Sequence, residues 1–423
     1  MKNLEKNIDP FESIQKILKK SCDILNVSCD LYEILKEPQR VIEVNIPVKM
    51  DNGKIKIFRG YRSQHCDVIG PFKGGIRFHQ NVNRNEIKAL SMWMSLKCSA
   101  NHLPYGGAKG GIVVDVNELS ENELEKLSRG YVREIYKYIG DRFDIPAPDV
   151  NTNEKIMAWM LDEYINLTGN NNIATFTGKS LEFGGSYGRR EATGVGVSHI
   201  TRESLKKLDI DIKKSKIAIE GFGNVGSNTA LSLQKMGANI VSISEFDKEY
   251  GVYTIYNEEG FDVEDLVSYF EKNKSLLNYK NNKFLVEKEF SSLDVDVLIP
   301  CALENSITEE NAKNVKAKLI VEGANGPVNY MADKILEEKN VIIVPDILAN
   351  AGGVIASYFE WIQNISGMDM TKDEVLNRLE YKILFAYDGI LKTREKYNVS
   401  LRLASYIYSV ERIYKSLKLR SRI

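Results

Sequence analysis

Hydrophobic residues recur at different intervals along the chain, and the first half predicts a mixture of helices and strands. Apolar side chains recur at helical spacing after Pro10, which predicts a helix that begins there. Residues 41–65 alternate in part on both sides of an Asp-Asn-Gly turn and predict a β-hairpin. Residues 84–100 predict a largely buried helix, and a Gly- and Lys-rich loop at 104–111 is expected to precede a short strand at 112–116.

From residue 216 the pattern becomes a series of short apolar runs that alternate with helical segments, which is typical of a parallel sheet. The predicted strands are 216–220, 239–244, 295–299, 318–321 and 341–344. After Gly352-Gly353 the pattern is helical. Thr371 and Glu374 form a capping-box pattern before a long helix, and a second helix is expected from about Leu401.

The length and charge of the chain exclude several classes of protein. With 423 residues it is too long for one hydrophobic core, so at least two domains are expected. Lys and Arg total 57 against 58 Asp and Glu, a balance that gives no support to a nucleic-acid partner. No apolar run reaches about 18 residues, and the first residues lack the apolar core of a signal peptide, so no membrane partner is expected.

The cysteines and histidines do not indicate a metal site. The five cysteines are odd in number and form no CxxC pair, and the four histidines are scattered. We therefore expect no bound metal, no disulfide framework and a cytoplasmic location.

A glycine fingerprint indicates a dinucleotide site. Gly221, Gly223 and Gly226 form a GxGxxG motif between a predicted strand and a predicted helix, and Glu245 follows 19 residues beyond the last glycine. The helix N-terminus supplies N–H groups for phosphates. A carboxylate at Glu245 can accept hydrogen bonds from ribose hydroxyls and would repel a 2′-phosphate, so we expect NAD rather than NADP. The alternative for Glu245 is a solvated acid at the end of a strand.

Three lysines of the first half stand in glycine-rich or apolar contexts, where an ammonium needs an anionic partner. They are Lys73 in PFKGGIRF, Lys97 in SMWMSLKCSA and Lys109 in PYGGAKGG. Any one of them alone is better interpreted as a surface lysine. Together with the glycine fingerprint, they favour a small anionic substrate.

Several motifs resemble those of the glutamate dehydrogenases, in the same order and over nearly the whole chain. They are PFKGGIRF, LKCSANHLPYGGAKGGI, DIPAPDVNTNEKIMAWM, TGKSLEFGGSYGRREATG, GFGNVG, IPCALENSIT, VEGANGP and PDILANAGGVIASYFEW. The chain is most similar to the short hexameric bacterial enzymes that use NAD. The resemblance implies an NAD-dependent glutamate dehydrogenase that assembles as a homohexamer, with glutamate, 2-oxoglutarate and ammonia as its small-molecule partners. Use of NAD would suit glutamate catabolism.

The resemblance also implies an α/β fold with two domains and a cleft between them. Residues 1–186 would form a segmented α/β substrate-binding and oligomerisation domain, and residues 187–351 a Rossmann-like NAD-binding domain. Residues 352–423 would return as helices to the substrate-binding domain. The glycine-rich segment 177–196 and the Gly352-Gly353 pair are the candidate hinges for closure of the cleft.

The roles of individual residues are carried over from the resemblance. Lys109 and the aspartate of the PAPD motif, Asp149, would be the acid/base pair that moves protons during deamination. Lys73 and Ser357 would bind the side-chain carboxylate, and Lys97 the α-carboxylate, with Met94 on the same helical face. Besides the three glycines and Glu245, the cofactor-binding residues would be Thr193, Asn224, Val225, Asn325 and Asn350.

Two alternatives to a glutamate dehydrogenase are considered. A leucine, valine or phenylalanine dehydrogenase shares the architecture and the chemistry, but a pocket for an apolar side chain should not bury the ammonium of Lys73. A paralogue that binds the cofactor without turnover is also considered, although all the implied catalytic residues are present. Turnover of glutamate against leucine and phenylalanine, with both cofactors, distinguishes these alternatives.

Overall fold

The structure is a computed structural model that describes residues 9–280, 283–286 and 290–423. The described chain divides into two compact units. Unit 1 contains the chain up to Tyr187 together with Ala356–Val375 and Tyr406–Ile423, and unit 2 contains Gly188–Ile355 and Leu376–Ser405. Residues 1–8, with which the predicted first domain begins, lie outside the described residues.

Unit 1 contains a mixed sheet with helices packed on it. Its helices and strands are α1 (Pro10–Leu25), α2 (Cys29–Leu35), β1 (Arg40–Lys49), β2 (Ile55–Cys66), β3 (Phe72–Phe78), α3 (Arg84–Ala100), β4 (Gly107–Ile112), α4 (Glu121–Ile135), β5 (Asp144–Pro148) and α5 (Glu154–Thr168). The strand order is β1-β2-β4-β3-β5. β1 pairs antiparallel with β2, and β3 pairs in parallel with β4 and β5. The hairpin and the helices predicted after Pro10 and at 84–100 are confirmed.

The predicted loop at 104–111 is wrong, because most of this segment is the central strand β4. A Cβ atom on Gly107 would lie 2.2 Å from the backbone nitrogen of Ser95 in α3, and one on Gly110 would lie 2.7 Å from the Tyr131 hydroxyl in α4. The glycines therefore allow two helices to pack directly against the strand. The strand predicted at 112–116 is also wrong, since Val116–Glu118 form a short 3₁₀-helix.

The proline-rich segment before Asp149 is an edge strand of the unit 1 sheet. Pro146 and Pro148 lie in β5, which is the last strand in the order of this sheet and pairs with β3. A strand at the edge tolerates residues that lack an N–H donor. Prolines at these two positions also disfavour a regular helix, in agreement with the observed strand.

Unit 2 contains a larger sheet. Its helices and strands, in chain order, are α6 (Ala192–Lys207), β6 (Lys216–Glu220), α7 (Asn224–Lys235), β7 (Asn239–Asp247), β8 (Gly251–Tyr256), α8 (Val263–Asn273), β9 (Lys283–Val286), β10 (Val297–Pro300), α9 (Glu309–Ala312), β11 (Leu319–Val321), α10 (Tyr330–Glu338), β12 (Ile342–Val344) and α11 (Asp346–Ala349). The strand order is β12-β11-β10-β6-β7-β8-β9.

Strands β6, β7, β10, β11 and β12 pair in parallel at the predicted positions, which confirms the Rossmann-like interpretation. A fully parallel sheet is not observed, because β7, β8 and β9 pair antiparallel at one edge. β7 and β8 are joined by a short turn that ends at Gly251, where φ is +70°. Such a turn is too short for the crossover that a parallel pair requires.

The C-terminal part of the chain is helical, as predicted. It contains α12 (Gly352–Ser366), α13 (Lys372–Tyr397) and α14 (Leu401–Leu419), and the backbone nitrogen of Thr371 donates to the Glu374 carboxylate at 2.8 Å in the expected capping box. The unit boundaries fall inside all three helices. Residues 376–405 therefore group with unit 2, which differs from the expectation that all of 352–423 returns to the first domain.

The glycine-rich segment 177–196 runs into a helix, because its last residues, from Ala192 onwards, are already part of α6. Its role as a hinge stays a prediction.

In the described parts of the chain, every helix is too short or too polar to cross a membrane.

Candidate active site

Lys109 and Asp149 form an ion pair in unit 1. Lys109 lies in the central strand β4 and Asp149 directly follows β5, and the Lys109 Nζ donates to Asp149 Oδ1 at 2.8 Å. The lysine side chain is 8% exposed and the aspartate 20%. A Cβ atom on Gly75, in the strand between them, would lie 2.8 Å from the Asp149 Cβ, so a side chain there would displace the carboxylate. The structure thus brings together the two residues expected to move protons.

Arg77 is a second cationic partner of Asp149. Its Nε donates to Asp149 Oδ2 at 2.9 Å, and its Nη1 donates to Glu86 in the first turn of α3. The sequence analysis missed this arginine. Strand periodicity could have found it, because Lys73, Gly75 and Arg77 alternate along β3 and share one face.

The neighbours of Lys109 and Asp149 displace both pKa values. Burial lowers the pKa of Lys109, and Arg77 adds to this effect against the attraction of Asp149. Burial alone would raise the pKa of Asp149, but the charges of Lys109 and Arg77 outweigh it and hold this pKa below the usual range. Asp149 is therefore a carboxylate at neutral pH, and Lys109 loses its proton more readily than an ordinary lysine does.

Lys73 lies in β3 and is buried in unit 1, with 1% of its surface exposed. Its Nζ donates to the Thr177 hydroxyl at 2.7 Å and to the carbonyl of Ile145 at 3.2 Å. A Cβ atom on the next residue, Gly74, would lie 1.6 Å from the carbonyl oxygen of Ala108, so only glycine fits there. Thr177 is a site residue that the sequence analysis did not identify.

The other predicted substrate residues also lie in unit 1. Met94 and Lys97 are half-buried on α3, three residues apart, and Ser357 is buried on α12. Burial raises the pKa of the Cys98 thiol to about 12, while the positive charges of Lys73 and Lys97 act in the opposite direction. Both ammonium groups therefore lie close enough to Cys98 to influence one thiol.

The glycine fingerprint of unit 2 has the geometry that a dinucleotide requires. Gly221 has a φ of +82°, and a Cβ atom on Gly226 would lie 1.8 Å from the Gly221 carbonyl oxygen. At Gly223 an added Cβ would meet no described atom within 4 Å, so this side of the turn is open. The turn leads into the N-terminus of α7, which begins at Asn224. Free N–H groups at such a terminus bind a pyrophosphate.

Glu245 lies in β7 and contacts the glycine turn. One of its carboxylate oxygens accepts a hydrogen bond from the backbone nitrogen of Phe222 at 2.6 Å, and the other from that of Phe246 at 2.9 Å. The carboxylate is thus oriented beside the turn, where it fits a ribose with free hydroxyls better than a 2′-phosphate.

The remaining predicted cofactor residues lie around two loops of unit 2. Asn350 Nδ2 donates to Asn325 Oδ1 at 2.9 Å and to the carbonyl of Ala324 at 3.1 Å, so these two asparagines are brought together. Asn224 Nδ2 donates to the carbonyl of Arg190 at 2.8 Å. The other two are half-buried in the first turns of their helices, Thr193 in α6 and Val225 in α7.

Within residues 9–280, 283–286 and 290–423, no three or more His, Cys, Asp or Glu side chains are grouped so that they could hold a metal ion.

A Rossmann-like unit with an open glycine turn and a second unit with a buried lysine–aspartate pair define a dinucleotide-dependent oxidoreductase. The chain belongs to the glutamate/leucine/phenylalanine/valine dehydrogenase family, whose main domain matches residues 184–421. The dimerisation domain of the same family matches residues 38–166.

Three relatives illustrate the similarity. The NAD-specific glutamate dehydrogenase of Clostridioides difficile is 52% identical over 415 residues, which cover 98% of this chain and 99% of that protein. The cryptic catabolic NAD-specific glutamate dehydrogenase GudB of Bacillus subtilis is 45% identical, with 98% of this chain and 97% of that protein covered. The crystal structure of glutamate dehydrogenase from Peptoniphilus asaccharolyticus is 48% identical and has a TM-score of 0.90, covering 98% of this chain and all of that one.

Proposed function

We propose that the protein is an NAD-dependent glutamate dehydrogenase that catalyses the reversible oxidative deamination of L-glutamate to 2-oxoglutarate and ammonia. The observation that carries the proposal is the buried ammonium of Lys73 in the same unit as the Lys109–Asp149 pair. Family membership leaves several amino-acid substrates open. The names of the similar proteins, which are NAD-specific glutamate dehydrogenases, support glutamate among them.

Unit 1 is proposed to bind the substrate. Lys73, with Ser357, would hold the side-chain carboxylate, and Lys97 the α-carboxylate, with Met94 beside it. A dicarboxylate would add a carboxylate contact at each ammonium, and hydrogen bonds between ionised groups are about twice as strong as those between neutral groups.

Lys109 and Asp149 are proposed to move protons. The lowered pKa of Lys109 favours its neutral amine, which can take a proton from the water that attacks the α-carbon. Asp149 keeps Arg77 as a cationic partner at 2.9 Å when Lys109 is neutral, and it can exchange a proton with the substrate nitrogen. The carboxylate also orients Lys109 Nζ through the 2.8 Å contact.

Unit 2 is proposed to bind NAD. The glycine turn and the N-terminus of α7 would hold the pyrophosphate, and Glu245 the adenosine ribose. Thr193, Asn224, Val225, Asn325 and Asn350 would complete the site. When bound, NAD supplies the acceptor for the hydride that leaves the α-carbon.

A dehydrogenase for apolar amino acids is the alternative that the geometry disfavours. The pocket of such an enzyme would place an apolar side chain beside the ammonium of Lys73. The ammonium would then lack the contact that the side-chain carboxylate of glutamate can supply. Steady-state turnover of glutamate, leucine and phenylalanine with NAD and NADP tests the proposal. We expect glutamate with NAD to be preferred, and Lys73→Leu to raise the KM for glutamate. A preference for leucine or phenylalanine would reject glutamate as the substrate.

Homohexameric assembly, a catabolic direction and a cytoplasmic location are further parts of the proposal. They rest on the similarity to catabolic NAD-specific relatives and on the sequence. Light scattering of the purified protein tests the assembly, because a hexamer has six times the 47.9 kDa mass of one chain. Kinetics in both directions test the proposed catabolic preference.

A further inference from the structure

Lys179 and Glu360 form an ion pair in unit 1 that the proposed mechanism does not use. Both side chains are fully buried, and Lys179 Nζ donates to Glu360 Oε1 at 2.8 Å. The same ammonium donates to Asn364 Oδ1 at 2.8 Å and to the carbonyl of Phe176. All three donors of the lysine are therefore occupied. A buried ion pair is weak evidence for added stability, so its presence raises the question of what it positions.

The pair fixes the backbone of residues 176–179. The Glu360 carboxylate accepts hydrogen bonds from the backbone nitrogens of Gly178 at 2.8 Å and Lys179 at 3.3 Å. Because Lys179 Nζ also binds the carbonyl of Phe176, the segment is held at both ends. Gly178 has a φ of +79°, and a Cβ atom there would lie 2.3 Å from Pro148, so the segment follows a path that few residues allow.

The residue in the middle of this segment is Thr177, the hydroxyl partner of Lys73. Its Oγ1 accepts from Lys73 Nζ at 2.7 Å, and its backbone nitrogen donates to the carbonyl of Pro146 at 3.1 Å. Fixing the neighbours of Thr177 therefore fixes one of the groups that orient the Lys73 ammonium.

The same pair fixes the helix that carries Ser357. Ser357, Glu360 and Asn364 lie on α12 at spacings of three and four residues, and therefore on one face of the helix. Two of them bind Lys179 directly. The Lys179–Glu360 ion pair thus connects the segment that contains Thr177, the partner of Lys73, to the helix that carries Ser357.

We propose that Lys179 and Glu360 are positioning residues that hold Lys73, through Thr177, and Ser357 in the arrangement that recognises the side-chain carboxylate of the substrate. This inference rests on the proposed function. The expected consequence is specific: loss of the pair weakens recognition of that carboxylate more than it weakens binding of the rest of the substrate or of NAD.

The test uses the double variant Lys179→Met/Glu360→Gln, which removes both charges and leaves no unpaired buried ion. We expect kcat/KM for glutamate to fall about tenfold or more, mainly through KM, in line with the loss of a charge-assisted contact. For norvaline, which has the same carbon chain length without the side-chain carboxylate, we expect a change of less than about threefold. The KM for NAD should also stay within about threefold. An equal fall for both amino acids, or no fall for glutamate, would overturn the proposal.

The matched control is Glu163→Gln, which removes another mostly buried carboxylate of unit 1. Glu163 pairs with Arg133 at 2.6 Å and is 10% exposed. Its loss should leave the ratio of kcat/KM for glutamate to that for norvaline unchanged, and a similar change of this ratio in the control would contradict the proposal. If the double variant does not fold, Glu360→Asp keeps the charge that neutralises Lys179, withdraws the carboxylate from the backbone nitrogens of Gly178 and Lys179, and gives the same comparison.

Binding of glutarate separates this inference from the proposed function. Glutarate is an unreactive five-carbon dicarboxylate, and its affinity can be measured by titration calorimetry without turnover. We expect about tenfold weaker binding to the double variant than to the wild type and the control. If the wild type binds glutarate but does not oxidise glutamate, the proposed activity is wrong while the glutarate affinities still decide the role of the pair. Equal glutarate affinities, or no glutarate binding to any of the proteins, would overturn that role.

Discussion

Alanine should have different effects at Gly223 and at Gly226. It should weaken NAD binding at the first position and reduce stability at the second. Gly223 has φ −69° and ψ −160°, a conformation open to alanine, and no described atom lies within 4 Å of an added Cβ. Alanine there should change the free energy of unfolding by no more than about 1 kcal/mol, since lower unfolded-state entropy offsets a poorer helix cap. At Gly226 the Cβ would lie 1.8 Å from a carbonyl oxygen, so Gly226→Ala must distort the turn.

The expected loss of NAD affinity in Gly223→Ala follows from the open space beside Gly223. A methyl group there occupies the space through which a pyrophosphate would reach the N-terminus of α7. Losing one charge-assisted hydrogen bond costs about 1.5–3 kcal/mol, which is about 10- to 160-fold in affinity. Gly223→Ala should therefore weaken NAD binding by this factor at nearly unchanged stability, whereas Gly226→Ala should lose about 1–3 kcal/mol of stability.

Urea unfolding of both variants, together with titration of NADH fluorescence, measures the two quantities independently. The KM for glutamate, measured at saturating NAD, serves as the control, because the proposed substrate residues lie in unit 1. Wild-type NAD affinity in Gly223→Ala would refute the argument that the pyrophosphate approaches the turn on this side. A large loss of stability in that variant would refute the argument that the space is empty.

Three further predictions concern single side chains of unit 1. Lys109→Ala should lower kcat by about 10²- to 10⁴-fold, because it removes the proposed acid/base group. The variant should fold normally, because Asp149 keeps Arg77 as a partner at 2.9 Å. Near-normal turnover in steady-state assays would contradict the acid/base role of Lys109. Arg77→Met removes a charge that lowers the pKa of Lys109, so the limb of the kcat–pH profile that requires the neutral amine should move to higher pH, and an unchanged limb would count against this coupling. Burial lowers the pKa of His65 from 6.5 to about 4, so the unfolded state binds a proton in this window and the folded state does not. The contribution of His65 to the free energy of unfolding should therefore fall by at most about 3 kcal/mol as the pH drops from 6.5 to 4, and urea unfolding of His65→Gln should show a smaller fall than the wild type.

The helices and strands that the sequence placed correctly were predictable because local patterns decide them. The strand, glycine turn and helix from residue 216 to 235 follow from an apolar run, a GxGxxG motif and helical spacing. The start of α1 follows from a capping aspartate before Pro10, whose side chain accepts from the backbone nitrogen of Phe11 at 2.9 Å. Such signals involve neighbours in sequence, so they need no knowledge of the rest of the chain.

The glycine-rich strand β4 shows where local patterns fail. Its sequence has the composition of a loop, and only the close approach of α3 and α4 explains why glycine stands in the centre of a sheet. The same applies to β8 and β9, since an antiparallel edge depends on how the chain turns after β7 and not on the hydrophobicity of the strands.

For the candidate site, the sequence indicated most of the residues that are proposed to carry the chemistry, and the tertiary structure decided how they are paired. Lys73, Lys109 and Asp149 could be singled out from motif, burial pattern and resemblance. The contacts of Asp149 with Arg77, of Lys73 with Thr177 and of Lys179 with Glu360 join residues that are 72, 104 and 181 positions apart. Such partners are brought together only by the packing of strands and helices, because no local pattern specifies which distant side chain a buried charge will meet.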